Sequence, residues 1–235
     1  MDHQIGISIV NYKTPQLVGE CLLSLAAEHE YQGHLKVVVV DNASGDGSYE
    51  KIAAFVQEQK FTDWVEVVDA GKNGGYSFGN NIAFRRLLDA GCDLIWLLNP
   101  DTRLLPGATR ALVDCLDSDS KIGIAGSRLE DQDGTPQVSA FNFPSPMTEL
   151  INTAKIGVLQ RLVPSAVIPR PISPGREKVD WVAGASMMMK AEVLRRVGMM
   201  DEAYFLYFEE VDFCRAVVHA GYYIIYEPAS RVIHH

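Results

Sequence analysis

Residues 93–101 read Asp-Leu-Ile-Trp-Leu-Leu-Asn-Pro-Asp, and this stretch decides the fold that we predict for the chain. The unbroken apolar run 94–98 is typical of a strand covered on both faces, inside a parallel sheet. Pro100 ends the strand because it has no N–H to donate. In open α/β sheets, ligands bind beyond the carboxyl ends of the strands, which is where Asn99 and Asp101 stand. Asn-Pro-Asp is also ordinary turn chemistry, so the triplet alone leaves a plain turn open.

Strand and helix patterns alternate on both sides of this stretch. We predict strands at 5–10, 35–40, 65–68, 122–125, 179–189, 222–226 and 231–234, and helices at 14–30, 48–59, 82–91, 107–118, 191–197 and 209–220. This alternation predicts an α/β fold with a doubly wound, mostly parallel sheet and helices on both faces. The segment 131–178 is rich in proline, which excludes long regular elements apart from an amphipathic helix at 148–163.

Composition excludes several classes of protein. The net charge is −9, whereas a nucleic-acid binder needs clustered basic residues. The four cysteines are far apart in sequence, which indicates neither a zinc site nor a disulfide framework. No signal sequence or membrane-spanning stretch is found, so we expect a cytoplasmic protein. An acidic site that binds a phosphorylated ligand needs a divalent cation, because unit charges ~4 Å apart repel by roughly 4 kcal/mol at an effective dielectric of 20.

Polar side chains follow three of the predicted parallel strands. Asn11 follows the first, Asp41 the second, and Asn99 with Asp101 the strand at 94–98. The carboxyl ends of parallel strands meet at one edge of a sheet, so we expect one shared crevice. Asp41 and the polar residues after it also fit the start of a helix, which remains the alternative for that segment.

A glycine-rich loop is predicted at 71–81, before a helix. Glycines let a backbone approach a ligand closely, and the helix that follows offers free N–H groups to an anion. The spacing matches neither the dinucleotide fingerprint nor a P-loop. On these grounds the loop is only a weak indication of a binding site.

An acidic cluster, Glu209-Glu210-Val211-Asp212, opens the last predicted helix. The helix dipole favours carboxylates there whatever the function, and Asp212 also fits a surface pair with Arg215. The aromatic residues of 204–208 would place the acids beside an apolar wall. Desolvation by such a wall raises a carboxyl pKa toward the range of a general base.

Two histidines, His234 and His235, end the sequence. Strand alternation would put them on opposite faces, so that one of them faces a metal ion. A chain end without a role is the alternative.

Together, these motifs resemble family 2 of the glycosyltransferases, the inverting enzymes of GT-A fold, and within it the rhamnosyltransferase-like bacterial members. The likeness covers nearly the whole chain and implies one domain, 1–235, with a nucleotide-sugar-binding half (1–128) and an acceptor-binding half (129–235). The residues that correspond to donor-binding positions are Asn11, Tyr12, Asp41, Asn73, Gly75, Asn80, Asn99 and Asp101.

The same resemblance assigns the remaining site residues. Acceptor-side positions correspond to Trp181, Gly184 and Ala185, and the acidic catalytic segment corresponds to Glu209, Glu210 and Asp212. Glu210 stands where the family has its catalytic Asp, and Glu209 remains an alternative base. The family's metal motif corresponds to Asn99-Pro100-Asp101, with Asp101 as the metal ligand, and His234 stands at the second metal ligand.

The resemblance implies that a sugar is moved from a nucleotide-diphospho-sugar, such as dTDP-rhamnose, with the help of Mg²⁺ or Mn²⁺. The expected acceptor is a glycan or lipid-linked glycan in cell-surface polysaccharide synthesis, and the expected location is cytoplasmic, at the inner face of the cell membrane. A peripheral membrane contact through 148–163 is a further expectation. The alternatives are a sugar-phosphate nucleotidyltransferase and a non-catalytic nucleotide-sugar-binding module.

Overall fold

The computed structural model describes residues 3–28, 34–144 and 169–235. The strands are β1 (Ile5–Asn11), β2 (Leu35–Asp41), β3 (Val65–Asp69), β4 (Leu94–Leu98), β5 (Thr102–Leu104), β6 (Ile122–Glu130), β7 (Ala140–Phe141), β8 (Glu177–Val179), β9 (Trp181–Val182), β10 (Ser186–Lys190) and β11 (Tyr223–His234). The helices are α1 (Pro15–Ala26), α2 (Ser48–Glu58), α3 (Tyr76–Asp89), α4 (Ala108–Asp117), α5 (Ala191–Val197) and α6 (Glu209–His219).

One large sheet organises these elements, in the order β3-β2-β1-β4-β10-β6-β11-β5, with β8 also paired to β11. The first four strands are parallel, and Asn11, Asp41 and Asp69 lie in register at their carboxyl ends. The predicted doubly wound, mostly parallel sheet is confirmed. The expectation that β4 has only parallel neighbours is wrong, because β10 pairs with it antiparallel. An apolar run indicates that both faces of a strand are covered. Such covering does not depend on whether the neighbouring strands run parallel or antiparallel to it.

Two apolar layers cover the sheet, one on each face. On one face Ile7 and Trp96 pack with apolar residues of α1, α2 and α4. On the other, Ile95 and Leu97 pack with residues of α3, α5 and α6, including Phe84. Successive residues of a strand point to opposite faces, which explains why neighbours in β4 belong to different layers. Helices on both faces of the sheet are therefore confirmed.

Several element boundaries differ from the prediction. Helix α1 ends at Ala26 rather than near residue 30, and β6 continues to Glu130 rather than ending near 125. The two strands predicted at the end of the sequence are one strand, β11, with an irregular register between Glu227 and Arg231. The helix predicted at 148–163 lies outside the described residues.

The start of α3 is the difference that matters for the site. The loop predicted to run to residue 81 ends at Gly75, and Asn80 lies inside the helix. The Asn80 amide accepts a hydrogen bond from the Ser8 hydroxyl at 2.6 Å and donates one to the Tyr76 carbonyl. The Asn80 side chain therefore has hydrogen-bond partners when the backbone is helical. Asparagine at this position does not indicate a loop.

In the part of the chain that the structure describes, no helix combines the length and apolar character needed to cross a bilayer.

Candidate active site

Asp41, at the carboxyl end of β2, is held by several hydrogen bonds. Its Oδ1 accepts from Asn11 Nδ2 and from the Ser44 hydroxyl, both at 2.6 Å, and its Oδ2 accepts from the Ser44 N–H at 3.0 Å. The residue is only 3% exposed. These bonds fix the direction of the carboxylate.

Asp41 lines a cavity of about 450 Å³, which we call the Asp41 cavity, together with Ser48, Tyr49, Asp69 and several glycines. Asp69 ends β3 directly beside Asp41 and accepts a hydrogen bond from the Gly71 N–H. Sequence reasoning missed Asp69 as a site residue. The signal was present, because Asp69 follows a predicted strand in the same way as Asp41 follows its own.

Asn11 and Tyr12 occupy different surroundings. The Asn11 side chain is fully buried, and its Oδ1 accepts hydrogen bonds from Thr14 at the start of α1. It therefore holds Asp41 in place, and a direct contact of Asn11 with a donor stays a prediction of the resemblance. The Tyr12 ring is 47% exposed at the same end of the sheet, with Lys13 Nζ 5.0 Å from its centroid.

The loop before α3 packs against the second half of the chain. Gly75 has φ +90°, and a Cβ built there would come within 2.3 Å of the Phe205 carbonyl oxygen. That carbonyl accepts a hydrogen bond from the Tyr76 N–H at 2.8 Å. The space that we expected Gly75 to leave for a ligand is thus filled by backbone. Asn73 accepts from the Asn42 amide and from the Gly75 N–H, so its oxygen stabilises this loop.

A second cavity, of about 240 Å³, brings together residues that are far apart in sequence. We call it the Glu210 cavity; its lining includes Tyr76, Asn99, Gly184, Ala185, Tyr207, Glu209, Glu210 and His234. These residues come from the ends of β4 and β11, the loop before β10, and the start of α6. The structure thereby gathers predicted donor, acceptor, catalytic and metal residues around one space.

Tyr76 joins the two sides of this cavity and was not among the predicted site residues. Its hydroxyl lies 2.6 Å from Asn99 Oδ1 and 3.1 Å from the Gly184 carbonyl oxygen. Burial, followed by the charge of Glu210, raises the pKa of Tyr76 well above its ordinary value, so the hydroxyl keeps its proton and donates it. Tyr76 thereby orients Asn99. Its place in the predicted glycine-rich loop, directly after Gly75, was the sequence signal.

Asp101 and His234 form a pair with the geometry of a metal site. Within the described part of the chain, Asp101 Oδ1 is buried without a hydrogen-bond partner, and it lies 3.7 Å from His234 Nε2. Antiparallel pairing of β5 with β11 places His234 opposite Thr102, next to Asp101. A cation roughly 2.1 Å from each ligand separates neighbouring ligands by about 3 Å and opposite ones by about 4.2 Å. The observed 3.7 Å lies between these values, so a shift of roughly 0.7 Å would let both atoms contact one Mg²⁺ or Mn²⁺ as neighbouring ligands.

The protein alone supplies only part of a coordination shell. Among the described residues, no group of three His, Cys, Asp or Glu side chains is close enough to hold a metal ion. Mg²⁺ is commonly held by one or two carboxylates, with substrate phosphates and water as its other ligands. The two residues therefore fit an ion that arrives with a diphosphate.

Glu209 and Glu210 begin α6 in surroundings that disfavour their charge. Burial, and then the charge of Glu210, raises the pKa of Glu209 to about 7. Burial likewise raises the pKa of Glu210. One oxygen of each carboxyl is buried without a hydrogen-bond partner. Two carboxyls with raised pKa in one cavity are suited to accept a proton near neutral pH.

Two of the aromatic residues expected to form a wall beside these acids are largely exposed. Tyr207 is 70% exposed and Phe208 63% exposed, and both have φ 70°, which turns the chain outward before α6. A Cβ built on Gly184 would lie 3.8 Å from Glu210 Cβ and 3.7 Å from the Tyr76 hydroxyl. The side chain of Glu210 therefore begins close to the loop before β10, and Tyr76 of α3 lines the same cavity.

Among the site residues predicted in the second half of the chain, Trp181 and Asp212 lie outside the Glu210 cavity. Asp212 is exposed on α6. Trp181 stacks on Phe141 with ring centroids 4.0 Å apart, and its Nε1 donates to the Asn142 carbonyl. Trp181 thus anchors the segment that leads to Gly184, whereas Asp212 contributes only to the charge at the start of the helix.

The raised pKa of Glu209 predicts an effect on stability. The folded state holds this proton more tightly than the unfolded state, so stability is greatest below about pH 4.5 and falls as pH rises toward 7. The shift corresponds to about 3 kcal/mol, so Glu209→Gln should stabilise the protein by up to that amount at pH 8 and hardly at all at pH 4.5. Urea unfolding at both pH values measures the difference. An equal effect of Glu209→Gln at the two pH values would contradict the raised pKa of Glu209.

Comparison with known proteins shows the family of this chain. Residues 6–181 match Glycosyl transferase family 2. The chain belongs to this family. The resemblance inferred from the motifs is confirmed, and this family 2 glycosyltransferase shares the inverting class of its family.

Individual relatives support the same conclusion. The N-acetylglucosaminyl-diphospho-decaprenol L-rhamnosyltransferase of Mycobacterium tuberculosis is 30% identical over 226 residues, covering 91% of this chain and 69% of the relative. Rhamnosyltransferase WbbL of Escherichia coli is 25% identical over 238 residues, covering 98% of this chain and 83% of the relative.

A solved structure supports the fold. The mannosyltransferase PcManGT from Pyrobaculum calidifontis, in complex with GDP-Man and Mn²⁺, has a TM-score of 0.67 at 16% identity. The match covers 98% of this chain and 56% of that one, so the chain spans little more than half of that neighbour. The likeness confirms the GT-A fold.

Proposed function

We propose that this protein transfers a sugar from a nucleotide-diphospho-sugar to a hydroxyl group of a glycan acceptor, with inversion at the anomeric carbon. The observation that supports this most strongly is the Glu210 cavity, where His234, the neighbour of Asp101, and Glu210 border the same space. One of these groups serves the leaving diphosphate and the other serves the attacking hydroxyl.

The donor would lie along the carboxyl ends of the parallel strands. The nucleoside occupies the Asp41 cavity, where the fixed carboxylate of Asp41 accepts a hydrogen bond from the base, and the exposed ring of Tyr12 lies at the same edge. The sugar diphosphate then reaches toward Asn99 and Asp101. Tyr76 holds the Asn99 oxygen, so the amide N–H groups of Asn99 are free to donate to the donor.

Asp101 and His234 would hold Mg²⁺ or Mn²⁺ between the protein and the diphosphate. When bound, the ion supplies positive charge that stabilises the leaving diphosphate. Its presence also removes the repulsion that the carboxylate of Asp101 would otherwise exert on a phosphate group.

Glu210 would act as the general base. Its carboxylate accepts the proton of the acceptor hydroxyl as the oxygen of that hydroxyl bonds to the anomeric carbon, on the face opposite the bond to the diphosphate. That bond breaks with its electron pair on the diphosphate, and the configuration inverts. The charge of Glu210 helps to raise the pKa of Glu209 beside it, and Gly184 and Ala185 leave room for the acceptor next to Glu210.

The names of two relatives support a proposal for the donor and the acceptor. Two of them are named rhamnosyltransferases, and one of these acts on a diphospho-decaprenol-linked N-acetylglucosamine. We therefore propose dTDP-rhamnose as the donor and a lipid-linked glycan as the acceptor, with the reaction at the cytoplasmic face of the membrane in surface polysaccharide synthesis.

A donor screen tests the proposal. Purified protein is incubated with nucleotide-sugars and a lipid-diphosphate-linked N-acetylglucosamine, with and without MnCl₂, and release of nucleoside diphosphate is followed. We expect metal-dependent release with dTDP-rhamnose and a product of inverted configuration. A binding module would bind donor without releasing nucleotide, and a nucleotidyltransferase would form pyrophosphate from a nucleoside triphosphate and a sugar phosphate; either result would overturn the proposal.

A further inference from the structure

A short turn after β6 returns the chain to the metal pair. The Asp131 N–H donates to the Thr135 carbonyl at 2.8 Å, and the Gly134 N–H donates to the Asp131 carbonyl at 2.9 Å. Gly134 has φ +84°, a conformation that glycine adopts without strain. The N–H of Gln137 then donates to the Leu129 carbonyl at 2.8 Å. Because β6 pairs with β11, the turn places Gln137 beside the end of β11.

The Gln137 side chain has three partners, and two of them settle which way its amide points. Its Nε2 donates to Asp131 Oδ1 at 2.7 Å and to the His234 carbonyl oxygen at 3.0 Å. Both of those atoms only accept hydrogen bonds, so the amide nitrogen must face them. The oxygen Oε1 therefore faces the third partner, Nδ1 of His234, at 3.0 Å.

This orientation determines the tautomer of His234. An amide oxygen only accepts, so Nδ1 of His234 must carry the proton, and Nε2 of the neutral ring is left with its lone pair. That lone pair lies on the side of Asp101, whose Oδ1 is 3.7 Å away and has no hydrogen-bond partner. A nitrogen ligand and an oxygen ligand are thus both unprotonated and free toward the same space.

We infer that Gln137 is a positioning residue of the metal site: it holds the His234 ring and selects the Nδ1–H tautomer, so that Nε2 is always available to the cation. This rests on the proposed function, which makes His234 a metal ligand. Hydrogen bonds of this kind from a metal-binding histidine typically contribute 10–100-fold to metal affinity or activity.

The chain offers a matched control. Gln132 lies in the same turn and its Nε2 is 3.0 Å from Nδ1 of His235, the neighbouring histidine. Gln132→Met and Gln137→Met therefore make the same chemical change, a few residues apart, each beside a histidine at the end of β11. Only Gln137→Met removes a hydrogen-bond partner of His234, the proposed metal ligand.

Two measurements test the inference. Long-range ¹H–¹⁵N NMR of the imidazole groups in the metal-free protein at pH 8 should show His234 as the Nδ1–H tautomer in the wild type and in Gln132→Met, and a mixture in Gln137→Met. The dissociation constant for Mn²⁺, from EPR of the free ion, should rise 10–100-fold in Gln137→Met and stay unchanged in Gln132→Met. Thermal unfolding should be similar for both variants, which separates positioning from a loss of folding.

His234→Ala distinguishes the possible failures. If this variant binds Mn²⁺ as well as the wild type, the metal site of the proposed function is wrong. If His234→Ala loses Mn²⁺ but Gln137→Met does not, the site stands and the role of Gln137 is overturned. An Nε2–H tautomer of His234 in the metal-free wild-type protein would also overturn the role of Gln137.

Discussion

Replacing Glu210 with glutamine is expected to lower the rate of sugar transfer about 10²–10⁴-fold while donor affinity stays nearly unchanged. Glutamine has the shape of glutamate but cannot take the proton of the acceptor hydroxyl. Burial raises the pKa of Glu210, so the wild-type rate should fall toward acid with a midpoint above the ordinary glutamate value. Turnover with purified donor and acceptor, together with calorimetry of donor binding, measures both quantities.

Neighbouring carboxyls provide the controls for this experiment. Asp212 is exposed on the same helix, so Asp212→Asn should leave the rate within a few-fold of wild type. Glu209→Gln removes the second buried carboxyl, and its loss of rate should be smaller than that of Glu210→Gln. Equal turnover of Glu210→Gln and wild type would remove Glu210 from the role of base, and a larger loss in Glu209→Gln would assign that role to Glu209.

Replacing Asp101 with asparagine is expected to weaken metal-dependent donor binding by at least about 10²-fold, because a direct ligand contributes more than the groups that orient it. The amide keeps an oxygen near His234 Nε2 but loses the charge that holds a divalent ion. Without metal, Asp101→Asn should bind the donor at least as tightly as the wild type does. The reason is that a carboxylate ~4 Å from a phosphate repels it by roughly 4 kcal/mol at an effective dielectric of 20.

Calorimetry of donor binding with and without MnCl₂ measures both effects of Asp101→Asn. Asp93 offers a matched control at the other end of the same strand, where its Oδ2 accepts a hydrogen bond from the Gln4 N–H. Asp93→Asn keeps an acceptor there and should change neither measurement. Metal-dependent binding of normal strength in Asp101→Asn would contradict the assignment of Asp101 as a metal ligand.

The sequence predicted the features that depend on neighbouring residues. The apolar run before Asn99 predicted a strand buried on both faces, and strand β4 has this environment. Carboxylates directly after predicted strands predicted the edge of the sheet where Asp41 and Asp101 lie. The family motifs, read along the chain, predicted the fold and the enzyme class. All of these depend on local pattern and on the geometry that any parallel sheet imposes.

A polar residue has the same appearance in the sequence whether it binds a ligand or another part of the protein. Asn11 and Asn80 stand in motifs that correspond to donor-binding positions, yet hydrogen bonds to Asp41 and Ser8 use their side chains. Gly75 makes room for the Phe205 backbone. Only the neighbours in space, which come from distant parts of the chain, show which role a residue has.

The sequence by itself therefore determined the α/β class, the parallel strands with their polar carboxyl ends, and the family. The tertiary structure alone decided that β10 runs antiparallel beside β4, that β5 pairs with β11 so that His234 faces Asp101, and that Gln137 returns to hold His234. The physical reason is that strand neighbours and register are set by packing between segments up to about 130 residues apart. No local pattern of residues encodes a hydrogen-bond partner at that separation.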